Sequence, residues 1–169
     1  MKKPASNQED EPVSRIRNSA ASPASKIDFS HIEGFSASEF HNQLHLLDVR
    51  VIHMLVRLRG KIGRIRISPA PGAVARASGS KTTMHYAEPE SGILSEAIDI
   101  MPIDVDLETA YQAAMQDPAI GAVGVYPDWL PLPGLHVDLR PRIGSRIAQW
   151  SGLKVDGKQV YRSVQEAFV

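Results

Sequence analysis

The chain has 169 residues, of which 43% are hydrophobic and 22% charged, and its 19 basic side chains balance its 19 acidic ones. This length suits one domain that can bury a core, and the zero net charge argues against a general binder of nucleic acid or of anionic membranes. Because the sequence contains no cysteine, it excludes disulfides, thiolate catalysis, iron–sulfur clusters and cysteine zinc sites. Any metal site must therefore use histidine, aspartate and glutamate.

Residues 1–27 predict a flexible N-terminal arm, which is followed by one domain over residues 28–169. The arm segment is rich in Ser, Ala, Pro and charge and shows no apolar period, so it buries too little surface to offset its ordering entropy. Lys2 and Lys3 resemble the start of a signal peptide, but a polar segment follows them. The longest uncharged apolar stretch, residues 119–126, is too short to span a bilayer. We therefore expect no membrane insertion and no ordinary export signal.

The first predicted helix begins at Ser36. Ser36 and Glu39 have the spacing of a capping box, in which each side chain bonds a backbone N–H of the other residue. Apolar residues then recur every three or four positions, as on one face of an amphipathic helix. They are Phe40, Leu44, Leu47, Val51, Leu55 and Leu58. The pattern predicts one continuous helix that ends near Gly60 or Gly63.

Short strands and loops follow this helix. Residues 64–68 alternate polar and apolar side chains and predict a strand, whereas residues 69–96 form a long loop rich in Gly, Ser, Ala and Pro. Residues 97–101 predict a second strand. Asp106 is positioned to cap a second helix over residues 107–116, which a proline ends.

The remaining sequence adds further strands. Residues 119–126 predict a buried strand, residues 127–134 with their three prolines predict a turn or rim loop, and residues 135–140 alternate strictly and predict a half-buried strand. Residues 159–168 fit either a terminal helix or a strand followed by a helix. Short strands mixed with two helices, without a βαβ rhythm, predict an α+β domain with a largely antiparallel sheet.

Ionisable residues lie at unexpected places in two of these strands. The alternation of residues 135–140 sets His136, Asp138 and Arg140 on one face, opposite an apolar face. These three fit either a solvent-facing side with a local Asp–Arg pair or a functional site. Asp99 lies in the centre of an apolar strand, and a buried carboxylate needs a donor, a cation or a metal. It fits either an ion pair with an arginine or a metal ligand.

His85 stands in the long loop, where a lone histidine is usually a surface residue. Together with Asp99 and His136 it would supply two neutral nitrogens and one carboxylate. These ligands suit zinc and leave the fourth tetrahedral position open for water. Zinc would acidify that water and polarise a carbonyl, which suits amide hydrolysis.

Three other histidines, His41, His45 and His53, lie on or beside the first predicted helix. Their spacing of four and eight could place an i, i+4 pair on adjacent turns, which is able to bind a metal. No carboxylate pattern accompanies them, and solvated or core-edge histidines are the commoner case.

Five segments of the sequence follow one another in a recognisable order. They are Arg64-Ile-Arg-Ile-Ser68, Thr83-Met-His85, Ala97-Ile-Asp99, Gly121-Ala-Val-Gly-Val-Tyr126 and His136-Val-Asp138. This order resembles the zinc D-alanyl-D-alanine peptidase family, which shares its fold with the hedgehog signalling domain, and above all its short phage and prophage members. The segment from Arg146 to Trp150 also resembles the basic-then-Trp ending of those phage proteins. The likeness covers about residues 38–152.

The resemblance implies a hedgehog/DD-peptidase-like fold, with a mainly antiparallel sheet and helices packed on it. By this resemblance, a Zn²⁺ ion would be held by His85, Asp99 and His136. Asp138 and Arg140 would be the catalytic residues beside it. Asp138 would either orient a ligand or act as the base on the attacking water, and Arg140 would either hold Asp138 or meet a substrate carboxylate.

The same resemblance implies an activity and a setting. The activity is hydrolysis of amide bonds in peptidoglycan stem peptides or cross-links, so the partner is a peptidoglycan peptide and not a nucleic acid. A lysis or virion-associated role would place the protein in the cytoplasm of a bacterial host before lysis, or on a virion.

Two departures from the family pattern leave alternatives open. The family's first ligand lies seven residues before the Asp, where this chain has Gly92, so we expect residues 86–94 to loop out between His85 and its strand. Many members carry an acidic residue three positions before the last His, where this chain has Pro133. The candidates to replace it are Asp128, Asp138, Glu88 and Glu90. The alternative function is a non-catalytic virion, structural or peptide-binding protein with a decayed site, or with a zinc ion that only staples the loop.

Overall fold

A computed structural model describes residues 21–169 of the chain. Two α-helices, α1 (Val49–Ile62) and α2 (Leu107–Met115), pack on one face of a six-stranded sheet. The strands are β1 (Ile65–Ile67), β2 (Ala97–Pro102), β3 (Ala122–Tyr126), β4 (Gly134–Asp138), β5 (Ala148–Val155) and β6 (Lys158–Arg162). The predicted α+β class is confirmed.

The sheet is mixed, with the strand order β1-β2-β4-β3-β5-β6. The β3–β5 pair is parallel and the other four neighbouring pairs are antiparallel. Asp99 of β2 is paired with His136 of β4, which is paired with Gly124 of β3, which is paired with Trp150 of β5. Because paired residues project to the same side of a sheet, these four form one row on the face opposite the helices.

The hydrophobic core lies between the helices and the other face of the sheet. Alternate strand residues supply the sheet side, since β-strand side chains point to opposite faces. They include Ile98, Ile100, Val123, Val125, Leu135 and Val137, all fully buried. Val51, Leu55 and Leu58 of α1 and Ala110 and Ala114 of α2 pack against them. The row that contains Asp99 and His136 is therefore held from behind by a packed apolar layer.

The prediction of one continuous helix from Ser36 is wrong, but its predicted end near Gly60 or Gly63 is confirmed, since α1 ends at Ile62 with Gly63 as its C-cap. The structure has a short 3₁₀ turn at Ala37–Phe40 instead, and His41 (φ 53°) and Asn42 (φ 59°) then adopt left-handed backbone that no helix continues through. α1 begins only at Val49, where Asp48 caps it by accepting the N–H of Arg50 at 2.8 Å. The apolar residues of the pattern are still buried on both sides of this break, because Phe40 and Leu47 lie in the same core as α1.

Other elements agree more closely with their predictions. β1, β2 and α2 form where the patterns indicate, and the carboxylate of Asp106 caps α2 by accepting the N–H of Thr109. β3 begins at Ala122, later than predicted, because the turn after α2 extends through Asp117, whose carboxylate accepts the N–H of Ala119. The alternative that residues 159–168 contain a strand is the one observed, as β6 with a 3₁₀ turn at Val164–Phe168. β5 was not predicted.

The prediction that residues 135–140 are only half-buried is wrong. Every residue of β4 is buried on both faces, and Arg140 beyond its end is buried too. Of the two alternatives for the face with His136, Asp138 and Arg140, the solvent-facing one is not observed, because the loop that carries His85 and Trp150 of β5 contact His136 there.

Residues 1–20 of the predicted arm lie outside the described residues. Within residues 21–27, Ala24 is fully buried and its N–H donates to the carbonyl of Leu47 at 2.8 Å. No helix within residues 21–169 has both the length and the apolar character that crossing a membrane requires.

A buried charge cluster anchors the start of α1. The guanidinium of Arg50 donates two hydrogen bonds of 2.8 Å to Asp48 and one of 2.6 Å to Glu96, the residue before β2. Both carboxylates are buried. The cluster joins the helix to the strand that carries Asp99.

We predict that Asp48→Ala lowers the free energy of unfolding by about 2–3 kcal/mol, because it removes a helix cap and one partner of a buried ion pair. Urea unfolding followed by circular dichroism should show a lower midpoint with an unchanged slope. Ser36→Ala in the exposed capping box is the matched control and should cost about 1 kcal/mol or less. Equal losses in the two variants would contradict this account of the cluster.

Candidate metal centre

The side chains of His85, Asp99 and His136 meet on the sheet face opposite the helices. Asp99 and His136 are brought together by the β2–β4 register, which sets them directly opposite each other. His85 arrives from the long loop between β1 and β2. The loop is tied back by backbone hydrogen bonds, from Asp99 N–H to the Ala73 carbonyl (2.9 Å) and from Glu96 N–H to the Met84 carbonyl (2.9 Å).

The segment of residues 86–94 leaves this loop and returns to it as a small hairpin. Glu88 and Ile93 exchange two backbone hydrogen bonds, of 2.7 and 3.1 Å, at its neck. A 3₁₀ turn at Pro89–Ser91 reverses the chain, and Gly92 closes it with a φ of 72°, which favours glycine. This agrees with the expected excursion, and it explains how a histidine fourteen residues before Asp99 still reaches it.

Three ligand atoms lie at the corners of a nearly equilateral triangle. His85 Nε2, His136 Nδ1 and Asp99 Oδ1 are each 3.0 Å from the other two. Ligands of a tetrahedral zinc ion, at about 2.0–2.1 Å from the metal, are about 3.3 Å apart. The triangle needs to widen by only about 0.3 Å to reach that geometry. These three buried residues therefore form a group that could hold a metal ion.

Asp138 and Arg140 stand behind His136. Asp138 Oδ2 accepts from His136 Nε2 at 2.9 Å, and the guanidinium and backbone N–H of Arg140 donate to Asp138 at 2.5–3.0 Å. A carboxylate held in this way can only accept, so Nε2 of His136 carries a proton and Nδ1 is the ring nitrogen that faces Asp99 and His85. The prediction that Asp138 orients a ligand fits this position.

The site is strongly charged and nearly closed to water. Burial lowers the pKa of the His136 imidazole, but its hydrogen bonds to Asp138 and Asp99 outweigh this effect and raise the pKa from 6.5 to about 9. Burial likewise raises the pKa of Asp99, but the two nearby imidazoles outweigh it and hold the pKa well below the usual range. The pKa of Asp138 is also lowered, because His136 and Arg140 outweigh its burial.

The four carboxylates named as candidate bases are not among the ligand atoms. Asp128 is exposed and accepts the N–H of Lys154, while Glu88 pairs with Lys81 at 3.4 Å and Glu90 is exposed. Asp138 lies on the far side of the His136 ring from the three ligand atoms. None of these four carboxylates belongs to the three-residue group found within residues 21–169. His41, His45 and His53 are exposed and lie outside it as well.

One neighbour of the site was not predicted from the sequence. The indole of Trp150 packs against the imidazole of His136, with ring centroids 5.4 Å apart. It does so across Gly124, because a Cβ at that position would lie 2.6 Å from Trp150 Cε2. A glycine in the centre of an otherwise apolar strand was the available signal.

We predict that the metal-free protein loses stability as the pH rises from about 6.5 to about 9. His136 has a higher pKa folded than unfolded, so its stabilising effect is complete below 6.5 and disappears as the pH passes 9. The loss should reach about 3 kcal/mol in urea titrations at stepped pH, with a chelator present. Zinc-saturated protein should show a much flatter profile in this range, because a metal ion on Nδ1 replaces the titrating proton. A flat metal-free profile would contradict the assigned hydrogen bonds.

Comparisons with protein-family models, with curated proteins and with solved structures find no match for this chain. The resemblance to zinc D-alanyl-D-alanine peptidases therefore stays a prediction. The function must be inferred from the side chains of the site.

Proposed function

We propose that the protein is a zinc-dependent hydrolase that cleaves amide bonds in peptidoglycan stem peptides or cross-links, with a hedgehog/DD-peptidase-like fold. The observation that carries the proposal is the triangle of His85 Nε2, Asp99 Oδ1 and His136 Nδ1, with mutual distances of 3.0 Å. Two imidazoles and one carboxylate are a ligand set of catalytic zinc sites, which keep one position open for water or substrate.

The donor set suits zinc in charge as well as in geometry. The Asp99 carboxylate and two neutral imidazoles would leave a bound Zn²⁺ with a net positive charge. When bound, zinc supplies a Lewis acid that polarises an amide carbonyl and activates water. The imidazoles of His85 and His136 and the carboxylate of Asp99 would hold the ion from one side.

Asp138 and Arg140 would support the ligands without touching the substrate. Asp138 keeps the proton of His136 on Nε2, so that Nδ1 is available as a ligand atom. Arg140 fixes both oxygens of Asp138 and compensates its charge in a buried place. This arrangement favours the positioning role for both residues over a role as base or as substrate anchor.

The choice of substrate comes from the resemblance in the sequence. The ordered segments from Arg64 to Asp138 and the basic-then-Trp segment are typical of phage and prophage peptidases that act on the bacterial wall. A lysis or virion-associated role in a bacterial host belongs to the same proposal.

A second candidate is a zinc ion that only staples the long loop to the sheet, in a non-catalytic virion or peptide-binding protein. One observation favours it, because the residues His85, Asp99 and His136 are only 2%, 6% and 4% exposed. An ion can enter such a site, whereas a peptide bond can reach it only if the loop or the rim moves.

Zinc binding and hydrolysis are tested separately. Elemental mass spectrometry of purified, untagged protein should find about one zinc per chain, and His85→Ala and His136→Ala should lose it. The control His53→Ala changes an exposed histidine of α1 and should keep the metal. Absence of zinc from the wild type after incubation with a modest excess would overturn the proposal.

Hydrolysis is measured on purified peptidoglycan and on soluble stem peptides, with products identified by mass spectrometry. The wild type should release peptides by amide cleavage, and His136→Ala should abolish this activity, with circular dichroism to check that the variant is folded. Zinc at one per chain without any cleavage would favour the loop-staple alternative. Activity that persists in His136→Ala would defeat the assignment of the site.

We further predict that Asp138→Asn weakens zinc affinity by about 10- to 100-fold, because an amide no longer enforces the tautomer that presents Nδ1. Competition with a chromophoric chelator measures the affinity. Asp128→Asn, which changes an exposed carboxylate, is the matched control and should leave the affinity unchanged. Equal affinities of Asp138→Asn and the wild type would show that Asp138 does not orient His136.

A further inference from the structure

Trp150 makes three directed contacts, all of them to the metal centre or its surroundings. Its ring lies 5.4 Å from the ring of His136, at an interplanar angle of 42°. The guanidinium carbon of Arg140 lies 5.5 Å from the indole centroid, which is the range of a cation–π contact. The indole N–H donates to the hydroxyl of Tyr126 at 2.9 Å, which fixes the indole from the other side.

These contacts close a ring of four side chains. His136 donates to Asp138, Arg140 donates to Asp138, and Trp150 contacts both His136 and Arg140. Trp150 is only 7% exposed, and the Asp138–Arg140 pair beside it is 0% and 6% exposed. In such a place each charged hydrogen bond is stronger than it would be in water.

The backbone is shaped to allow this placement. Trp150 and His136 lie on strands that are not neighbours, because β3 runs between them. The indole can lean across β3 only because residue 124 is a glycine, as even a methyl group there would lie 2.6 Å from Cε2. The Nδ1 edge of His136 meets His85, whose Nε2 is 3.0 Å away and whose ring is 4.9 Å away at 66°. The imidazole is therefore contacted by both the indole and the second imidazole.

We propose that Trp150 is a positioning residue of the metal centre, which holds the imidazole plane of His136 and shields the Asp138–Arg140 pair behind it from water. The inference rests on the proposed metal site and concerns how that site keeps its geometry. Without the indole, His136 gains freedom to turn away from His85, and water gains access to the hydrogen bonds of Asp138. Both changes weaken the binding of the metal by His136 of β4.

The test uses Co²⁺ as a spectroscopic replacement for zinc in the full chain, without any substrate. Trp150→Ala should bind Co²⁺ about 10- to 100-fold more weakly than the wild type, as is usual for the loss of a residue that supports a ligand. Its visible absorption should also become weaker, because a loosened His136 lets water raise the coordination number above four. Trp150→Phe should recover most of the affinity, since phenylalanine keeps a flat ring against His136.

Two further variants separate positioning from general stability. Trp129→Ala removes the other tryptophan, which stacks on Tyr126 with centroids 4.1 Å apart, and it should bind Co²⁺ as the wild type does. Gly124→Ala keeps the indole but adds the methyl group that pushes it aside, so it should weaken Co²⁺ binding as Trp150→Ala does. Gly124→Ala therefore tests the positioning role even if Trp150→Ala does not fold.

Fluorescence gives a second readout that does not depend on affinity. In Trp129→Phe, Trp150 is the sole tryptophan of the chain, and saturating Co²⁺ should quench most of its emission because the metal lies one imidazole away. In Trp150→Phe the remaining emission, from Trp129, should be quenched much less.

The outcomes distinguish the two proposals. If the wild type binds neither zinc nor Co²⁺, the proposed function fails and the role of Trp150 fails with it. If the wild type binds Co²⁺ and both Trp150→Ala and Gly124→Ala bind it with equal affinity and an unchanged spectrum, only the positioning role is overturned.

Discussion

The antiparallel register between β2 and β4 is the constraint on which the site depends. It places Asp99 opposite His136, and it is fixed from behind by Ile98, Ile100 and Val137, which pack under the helices. A register slip of one residue would turn the apolar side chains toward the site and the charged ones into the core, which would strongly destabilise the fold. The apolar side chains on one face of the sheet therefore determine the arrangement of the polar side chains on the other face, although no side chain belongs to both.

Charge balance is the second requirement of this polar layer. Asp99, Asp138 and Arg140 are buried together with His136, so isolated charges among them would be strongly destabilising. In the absence of metal, a protonated His136 makes two positive charges against two negative ones. In the proposed metal site, a divalent cation that displaces this proton would leave a net charge of about plus one. A proton and a metal ion would then compete for the same position on His136.

The sequence could predict those parts of the site whose signal lies within one strand. The alternation around His136 places Asp138 and Arg140 on the same face, and Asp99 is conspicuous among apolar neighbours. No local pattern could show that β2 and β4 are neighbours in the sheet, because the strand order depends on how the whole core packs. The burial of β4 on both faces was missed for the same reason, since its cover comes from Trp150 and from a distant loop.

The helical spacing of the apolar residues predicted which side chains are buried better than it predicted where the helix lies. Phe40 and Leu47 are as deeply buried as Val51 and Leu55, yet the chain from Phe40 to Leu47 is a sequence of turns. The left-handed residues His41 and Asn42 break the helix, and neither residue type demands that conformation. Tertiary contacts decide it, which is why a pattern of side chains alone indicated one continuous helix.

The hairpin of residues 86–94 has a consequence for how such proteins are recognised. Its neck is closed by two hydrogen bonds between Glu88 and Ile93, so the positions of His85 and Asp99 do not depend on what lies between them. Insertions and deletions at its tip would be nearly neutral for the fold, and the distance along the chain from the histidine to the aspartate is free to drift during evolution. Sequence motifs written with a fixed gap would overlook any chain in which this drift has occurred. Spatial searches for a carboxylate and an imidazole on adjacent strands, with a second imidazole from a loop, would still find it.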